Sequence, residues 1–320
     1  MWLVTGGAGY IGAHIVRALQ ASGREVVVID DLSTGVKSKL RDTAFVHASV
    51  GDREALRELF VTHKVDGVLH LAAKKAVGES VERPMYYWQE NIGNMQVLLE
   101  EMIAAGINRF VYSSSAAVYG QPEITGLITE DTPCAPINPY GATKLAGEWM
   151  TSAVAERHGW SAMSLRYFNV AGAGDADLAD PGVFNLIPLV FRALDNQQPP
   201  QVFGDDYPTP DGTCIRDYVH VVDLADAHVA ACAYVEQHPT AGNTILNIGT
   251  GAGSSVFEVL ATVTAETGID ATGERLPRRA GDPAQLVADV KRADEVLGWR
   301  SSKVLSDMVS SAWQAWRARA

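Results

Sequence analysis

Trp2-Leu-Val-Thr5, then Gly6-Gly-Ala-Gly9-Tyr-Ile-Gly12, then His14-Ile-Val-Arg-Ala-Leu-Gln-Ala21, then Glu25-Val-Val-Val-Ile-Asp30: these stretches decide the fold. The first and last read as short buried strands, the second sets glycines at three-residue spacing, and the third runs at helical period to a stop at Gly23. Strand, glycine loop, helix, strand and carboxylate form the opening unit of a dinucleotide-binding α/β fold. Gly6, Gly9 and Gly12 let the backbone turn tightly and approach a pyrophosphate, which rests on the helix N-terminus. Asp30 falls where a carboxylate accepts bonds from an adenosine ribose diol. It would repel a 2′-phosphate and no arginine stands next to it, so NAD is expected rather than NADP.

Outward from this unit the alternation continues. Val65–Ala73 reads as a strand and loop, followed by Lys74 and Lys75 at the sheet edge where cofactors lie; one of them is read as reaching the cofactor, against a solvated loop. A long helix is expected from Met85 to Gly106 with Leu98, Leu99 and Met102 on its apolar side, then a strand from Arg109 to Tyr112 that delivers Ser113, Ser114 and Ser115. A second long helix runs from Tyr140 to about His158, and Trp160–Asn169 is another strand. Beyond it the texture loosens. Ala171–Pro181 reads as a loop or mobile lid, and Asn185–Pro188 and Gln201–Gly204 bracket a helix. The expected architecture is a Rossmann-type, doubly wound parallel sheet over residues 1–173, joined by parts of 216–236, with a smaller substrate-binding lobe over 174–320. Arg216 and Arg279 of that lobe are read as clamping a diphosphate, against plain surface ion pairs.

Chemistry enters with Asn138-Pro-Tyr-Gly-Ala-Thr-Lys144. Tyr140 and Lys144 are four apart at a helix start, so phenol and ammonium share one face. A cation there is expected to favour phenolate and draw the tyrosine's pKa down from about 10. The Ser115 hydroxyl is placed to orient a substrate oxygen beside it, which makes a device for deprotonating an alcohol.

The chain has 320 residues, 47 % of them hydrophobic and 20 % charged, ordinary for a soluble α/β protein. A net charge of −12 with no cluster of Lys and Arg argues against nucleic acid as a partner. Cys134, Cys214 and Cys232 are scattered and lack metal spacing, which fits a reducing compartment without a zinc site. With no signal-peptide pattern and no apolar run of membrane-spanning length, a cytoplasmic protein is expected. The two long helices suggest a homodimer, though they serve equally as sheet covers.

The chain resembles the extended short-chain dehydrogenase/reductase family and, within it, the UDP-hexose 4-epimerases. The likeness rests on Thr5–Gly12, Lys75–Ser80, Ser113–Gly120, Tyr140–Lys144, Arg166–Asn169, Asp206–Thr209 through Arg216–His220, and Arg278–Asp282, in that order over nearly the whole chain. It implies reversible C4 epimerisation of UDP-glucose and UDP-galactose through a 4-keto intermediate with tightly held NAD. By the same resemblance Tyr140 is the base, Lys144 lowers its pKa and holds the nicotinamide ribose, and Ser115 bonds the sugar hydroxyl. Tyr10, Ile11, Asp30, Asp31, Ser49, Val50, Leu71, Ala72, Lys75, Ser113 and Phe168 are implied around NAD. Asn169, Asn185, Leu186, Phe203, Arg216, Tyr218, Arg279, Asp282 and Leu286 are implied around the UDP-sugar. Ser49 stands where the family usually carries an aspartate, and Glu90 where it carries an asparagine. Leu286 lies between the large and small residues that restrict or widen the family's sugar pocket, so N-acetylated sugars stay open. Dehydratases of the superfamily carry an acid–base pair where this chain has Ala116 and Ala117, which argues against elimination of water. A uronate-directed enzyme and a non-catalytic NAD sensor remain as alternatives.

Overall fold

A computed structural model describes residues 1–122, 126–279 and 281–319; Ala280 of the Arg278–Asp282 motif lies outside the described residues. In chain order the elements are β1 (Trp2–Thr5), α1 (Tyr10–Ala21), β2 (Val26–Asp30), β3 (Ala44–His47), α2 (Arg53–Thr62), β4 (Gly67–His70), α3 (Val77–Glu82), α4 (Pro84–Trp88), α5 (Asn94–Ala105), β5 (Arg109–Ser115), α6 (Pro139–His158), β6 (Ser161–Tyr167) and β7 (Asn169–Ala171). There follow α7 (Leu186–Asp195), β8 (Gln201–Phe203), β9 (Ile215–His220), α8 (Val221–Gln237), β10 (Gly242–Ile248), β11 (Gly253–Ser255), α9 (Val256–Thr267), β12 (Glu274–Leu276), β13 (Gln285–Leu286), α10 (Lys291–Leu297) and α11 (Leu305–Arg317).

The main sheet has seven strands in the order β10-β6-β5-β4-β1-β2-β3, with parallel pairings from β5 through to β3. Its central strands are buried on both faces, which is why they read as continuous apolar runs. The order reverses between β1 and β4, and at that switch point the C-terminal strand tips open a crevice for a ligand. Leu3, Val27, Ile29, Val68 and Phe110 pack with Leu98, Leu99 and Met102 of α5 in the core of this sheet. No described helix is long and apolar enough to cross a membrane.

The expected helix from Met85 to Gly106 is interrupted. Between α4 and α5, Gln89–Gly93 form a π-helical turn, one residue wider than an α turn, and it turns Asn91 into the buried interior. The strand expected to end at Tyr112 runs on through the three serines. The chain divides into two compact units, less simply than at a boundary of 173/174. One unit comprises 1–120, 134–166 and 225–246, the other 121–133, 167–224 and 247–320, because most of α8 and β10 returns to the large sheet. The second unit holds its own sheet, with β9 paired to β11, β13 and β7, and a two-stranded β8–β12 ribbon. Its core joins Ile187, Val190 and Phe191 of α7 to Val259, Leu260 and Val263 of α9 and to Met308 and Val309 of α11. Ala171–Pro181, expected as a loop or mobile lid, is a loop with Ala173, Leu178 and Ala179 buried.

Candidate active site

The glycine loop owes its shape to close contacts. Gly6 sits at φ +68°, and a Cβ there would fall 2.8 Å from the Ala72 amide nitrogen; one on Gly12 would fall 2.3 Å from the Gly6 carbonyl oxygen. Gly9 caps α1 with no side-chain bond and no acid stands in the first turn, so the positive end of the helix dipole faces the loop without a carboxylate to offset it. Asp30, buried at the end of β2, accepts from the Ala8 amide (3.0 Å) and the Leu32 amide (2.8 Å). Burial pushes its pKa up, against those two amides. Thr5 locks the tip of β4: its hydroxyl accepts from the Leu71 and Ala72 amides, both at 3.2 Å, and lies 2.8 Å from His70 Nδ1. Burial, reinforced by Lys144, draws His70 down to about 3, so the imidazole is neutral, and its Nδ1 can accept a hydrogen bond from the Thr5 hydroxyl. A helix N-terminus, a buried carboxylate and a backbone floor at Leu71 and Ala72 fit a dinucleotide.

The residues expected to move a proton lie together in this same unit. Asn138 caps α6 by accepting from the Gly141 amide at 2.8 Å, with Pro139 at the first helical position. That cap starts the helix so that Tyr140 and Lys144 project one turn apart. Lys144 is buried and Nζ donates to the Ser113 carbonyl at 2.7 Å; it lies 6.0 Å from the centroid of the Tyr140 ring. Ser115 ends β5, accepts from the Ala117 amide at 3.2 Å and lowers the pKa of the Tyr140 phenol. The electrostatics correct one expectation. Burial raises Tyr140 above its ordinary value in spite of Ser115, and burial alone draws Lys144 down to about 7. Both shifts run toward the neutral form, because a charge here is desolvated.

The second unit gathers another set. Arg216 of β9 donates from Nη1 to the Pro283 carbonyl (2.8 Å) and sits 3.5 Å from Asp282, in register with Leu286. Tyr218, whose phenol burial pushes up to about 12, pairs in register with Asn169. The Arg279 guanidinium lies 3.8 Å over the Phe203 ring. Asn185 is the N-cap of α7: its side chain makes no cap bond, and its carbonyl accepts from the Leu189 amide at 3.1 Å. Phe168 is buried, and its amide donates to the Ile248 carbonyl at 3.1 Å.

Three implied residues are less engaged. Lys75 is exposed; Ser49 is exposed, its hydroxyl accepting from the Gly51 amide (3.1 Å) and its carbonyl from the Asp52 amide (3.0 Å), with Val50 buried beside it; and Asp31 accepts from the Ser33 amide (2.9 Å). The lysine that makes contacts is Lys74. Reading by spacing also passed over Thr5, Asn91, Thr143 and Glu148, whose partners lie far along the chain.

The model of the NAD dependent epimerase/dehydratase family matches residues 2–249. A UDP-glucose 4-epimerase of Streptomyces lividans is 46 % identical over 98 % of this chain and 95 % of its own length. Among solved structures, the UDP-glucose 4-epimerase of Stenotrophomonas maltophila, with bound NAD and formylated UDP-arabinopyranose, superposes with a TM-score of 0.94 at 38 % identity, covering 99 % of this chain and 98 % of its own. That of Brucella ovis, in complex with NAD, gives a TM-score of 0.92 at 40 % identity, covering 97 % and 96 %. With the glycine loop, the switch-point crevice and the Ser115–Tyr140–Lys144 group in place, the chain belongs to the NAD dependent epimerase/dehydratase family.

Proposed function

We infer that the protein interconverts UDP-glucose and UDP-galactose at C4 through a 4-keto intermediate, with NAD held throughout. The observation that carries this reading is the half-buried Tyr140 phenol between the Ser115 hydroxyl and the Lys144 ammonium, in the unit that also carries the dinucleotide cradle. NAD, when bound, supplies a hydride acceptor that becomes the donor in the same site, and in its oxidised form a positive ring. Tyr140 takes the proton of the sugar 4-hydroxyl as the C4–H bond breaks, and returns it to that oxygen in the second half. Ser115 orients the oxygen, and Lys144 stabilises the phenolate. Inversion needs the ketone to offer its other face, so the nucleotide is gripped and the hexose is not. Asn185, Leu186, Phe203, Arg216, Tyr218, Arg279 and Asp282 are assigned that grip, with Phe168 and Asn169 at the nicotinamide and sugar. Ala116 and Ala117 follow Ser115 in a short 3-10 turn and carry no acid or base, which disfavours loss of water.

The test is turnover of UDP-galactose and, separately, UDP-N-acetylgalactosamine without added NAD. Conversion of UDP-galactose is expected. Conversion of both would mean Leu286 leaves room for the N-acetyl group. Conversion of neither, even with NAD supplied, would overturn the assignment.

The homodimer is assigned to the face made by α3, α4 and α6. Val77, Val81, Met85 (77 % exposed), Trp88 and Trp149 (66 % exposed) lie on these mutually packed helices, an apolar surface of the kind that associates. Trp149→Arg should convert a dimer to a monomer in sedimentation analysis. An unchanged dimer would place the interface elsewhere.

A further inference from the structure

The tips of β4 and β2 flank the end of β1, so a bond between them crosses the glycine loop. One side chain makes it. Lys74, beyond the tip of β4, donates from Nζ to Ser33 Oγ, beyond the tip of β2, at 2.8 Å, while Glu90 Oε2 stands 4.0 Å from the same ammonium. The base of this lysine is fixed. Asn91 Oδ1 accepts from the Lys74 amide at 2.7 Å, and Asn91 Nδ2 donates to the Lys74 carbonyl at 3.0 Å. The same Nδ2 donates to Thr143 Oγ1 at 3.0 Å, and that hydroxyl donates to the Tyr140 carbonyl at 2.8 Å. The π turn that brings Asn91 inward thus ties the Lys74 loop to the first turn of α6. With its backbone held on both sides, Lys74 spans the loop by its side chain, whose ammonium also lies 6.0 Å from the centroid of the Tyr86 ring.

Three carboxylates face this ammonium: Asp30, Asp31 and Glu90. A dinucleotide brings two more anionic phosphates to the glycine loop. The helix N-terminus attracts those phosphates, but three carboxylates stand against it, and no other lysine or arginine among the described residues is shown bridging these tips. The reaction sharpens the need, because a reduced dinucleotide that escapes before returning its hydride strands the keto sugar.

We propose that Lys74 is a strap over the dinucleotide that sets how long the cofactor stays bound, with Glu90 competing for its charge. This rests on the NAD reading above. A strap differs from a structural ion pair in sign. If Lys74 and Glu90 merely stabilise the fold, removing either weakens cofactor binding alike. If Glu90 draws the ammonium away from the cofactor, the two substitutions act in opposite directions.

The experiment follows release of NADH by its fluorescence from preloaded protein diluted into excess NAD, for the parent, Lys74→Leu and Glu90→Gln. Lys74→Leu should release NADH roughly tenfold faster, the scale of one lost hydrogen bond to a charged group. Glu90→Gln should release it more slowly, by roughly two- to threefold, as for a partly exposed ion pair. Added salt should shrink both differences, and the melting temperatures of the cofactor-stripped proteins should match. Unchanged release in Lys74→Leu, or faster release in both variants, would overturn the strap while leaving the NAD reading intact. A parent protein that binds no NADH would overturn both.

Discussion

Tyr140→Phe is expected to lower kcat for UDP-galactose by roughly a hundred- to ten-thousandfold, the range supplied by a positioned general base. Bound NAD and the melting temperature should stay at parental values. The substitution removes one oxygen and keeps a ring that is only half-buried, so no cavity forms. Ser115 keeps its bond from the Ala117 amide, and Lys144 keeps its bond to the Ser113 carbonyl. What disappears is the group assigned to take the proton of the 4-hydroxyl. Lys144 cannot replace it, since its nitrogen points into the serine strand. KM should move little, because the phenol contributes mainly once the proton is in flight. A variant retaining more than about a tenth of parental kcat would show that the proton leaves by another route. The pKa shifts add a sign to the same experiment. Burial raises Tyr140 in the cofactor-free protein, so its phenolate absorbance should appear only above the usual tyrosine range. Loading with NAD should bring that absorbance to lower pH, and Tyr140→Phe should abolish the shifted component.

The parts of this site that could be read along the chain are those whose partners are local. The glycine loop, Asp30 and the Tyr140–Lys144 pair each depend on spacing within one turn or one β-α-β unit, and the strands between them are buried enough to leave unbroken apolar runs. The edge strand β3 is largely half-exposed and gives no such run. In the helix after Pro84, a 3.6-residue period placed Leu98, Leu99 and Met102 on the core, as found. It passed over the π turn, because one added residue changes which side chain faces inward without changing composition. β7, β9, β11 and β13 hold two to six residues each and pair across long separations, so neither period nor length marks them. The direction of the Tyr140 shift was also out of reach. Spacing reveals a neighbouring charge, but desolvation depends on the packing around both groups.

Glu148→Ala is expected to cost about 3–5 kcal/mol of stability, read from the shift of the urea midpoint at constant slope. Glu148 lies one turn beyond Lys144 on α6, with its side chain 2 % exposed against 4 % for Arg166. Its carboxylate accepts from Arg166 Nε (2.9 Å) and Nη2 (2.7 Å), while Arg166 Nη1 donates to the Tyr119 hydroxyl at 2.8 Å. The Ser114 hydroxyl donates to the same carboxylate, so one acid joins α6, β6 and the serine strand. Burial alone pulls the arginine's pKa down, and Glu148 and Tyr119 more than offset it. Removing the acid takes the carboxylate from a buried guanidinium, whose bond to the Tyr119 hydroxyl carries no compensating charge. The pair itself need add little net stability, since its attraction is largely spent on desolvating two ions. The double variant Glu148→Leu with Arg166→Met should therefore recover most of the loss, and a Glu148→Ala protein within about 1 kcal/mol of the parent would refute the argument. Activity separates packing from positioning. Ser114 stands between the serine whose carbonyl holds Lys144 and the serine that faces Tyr140, so the apolar double variant, though stable, should lose kcat through a loosened Ser115 while keeping its NAD.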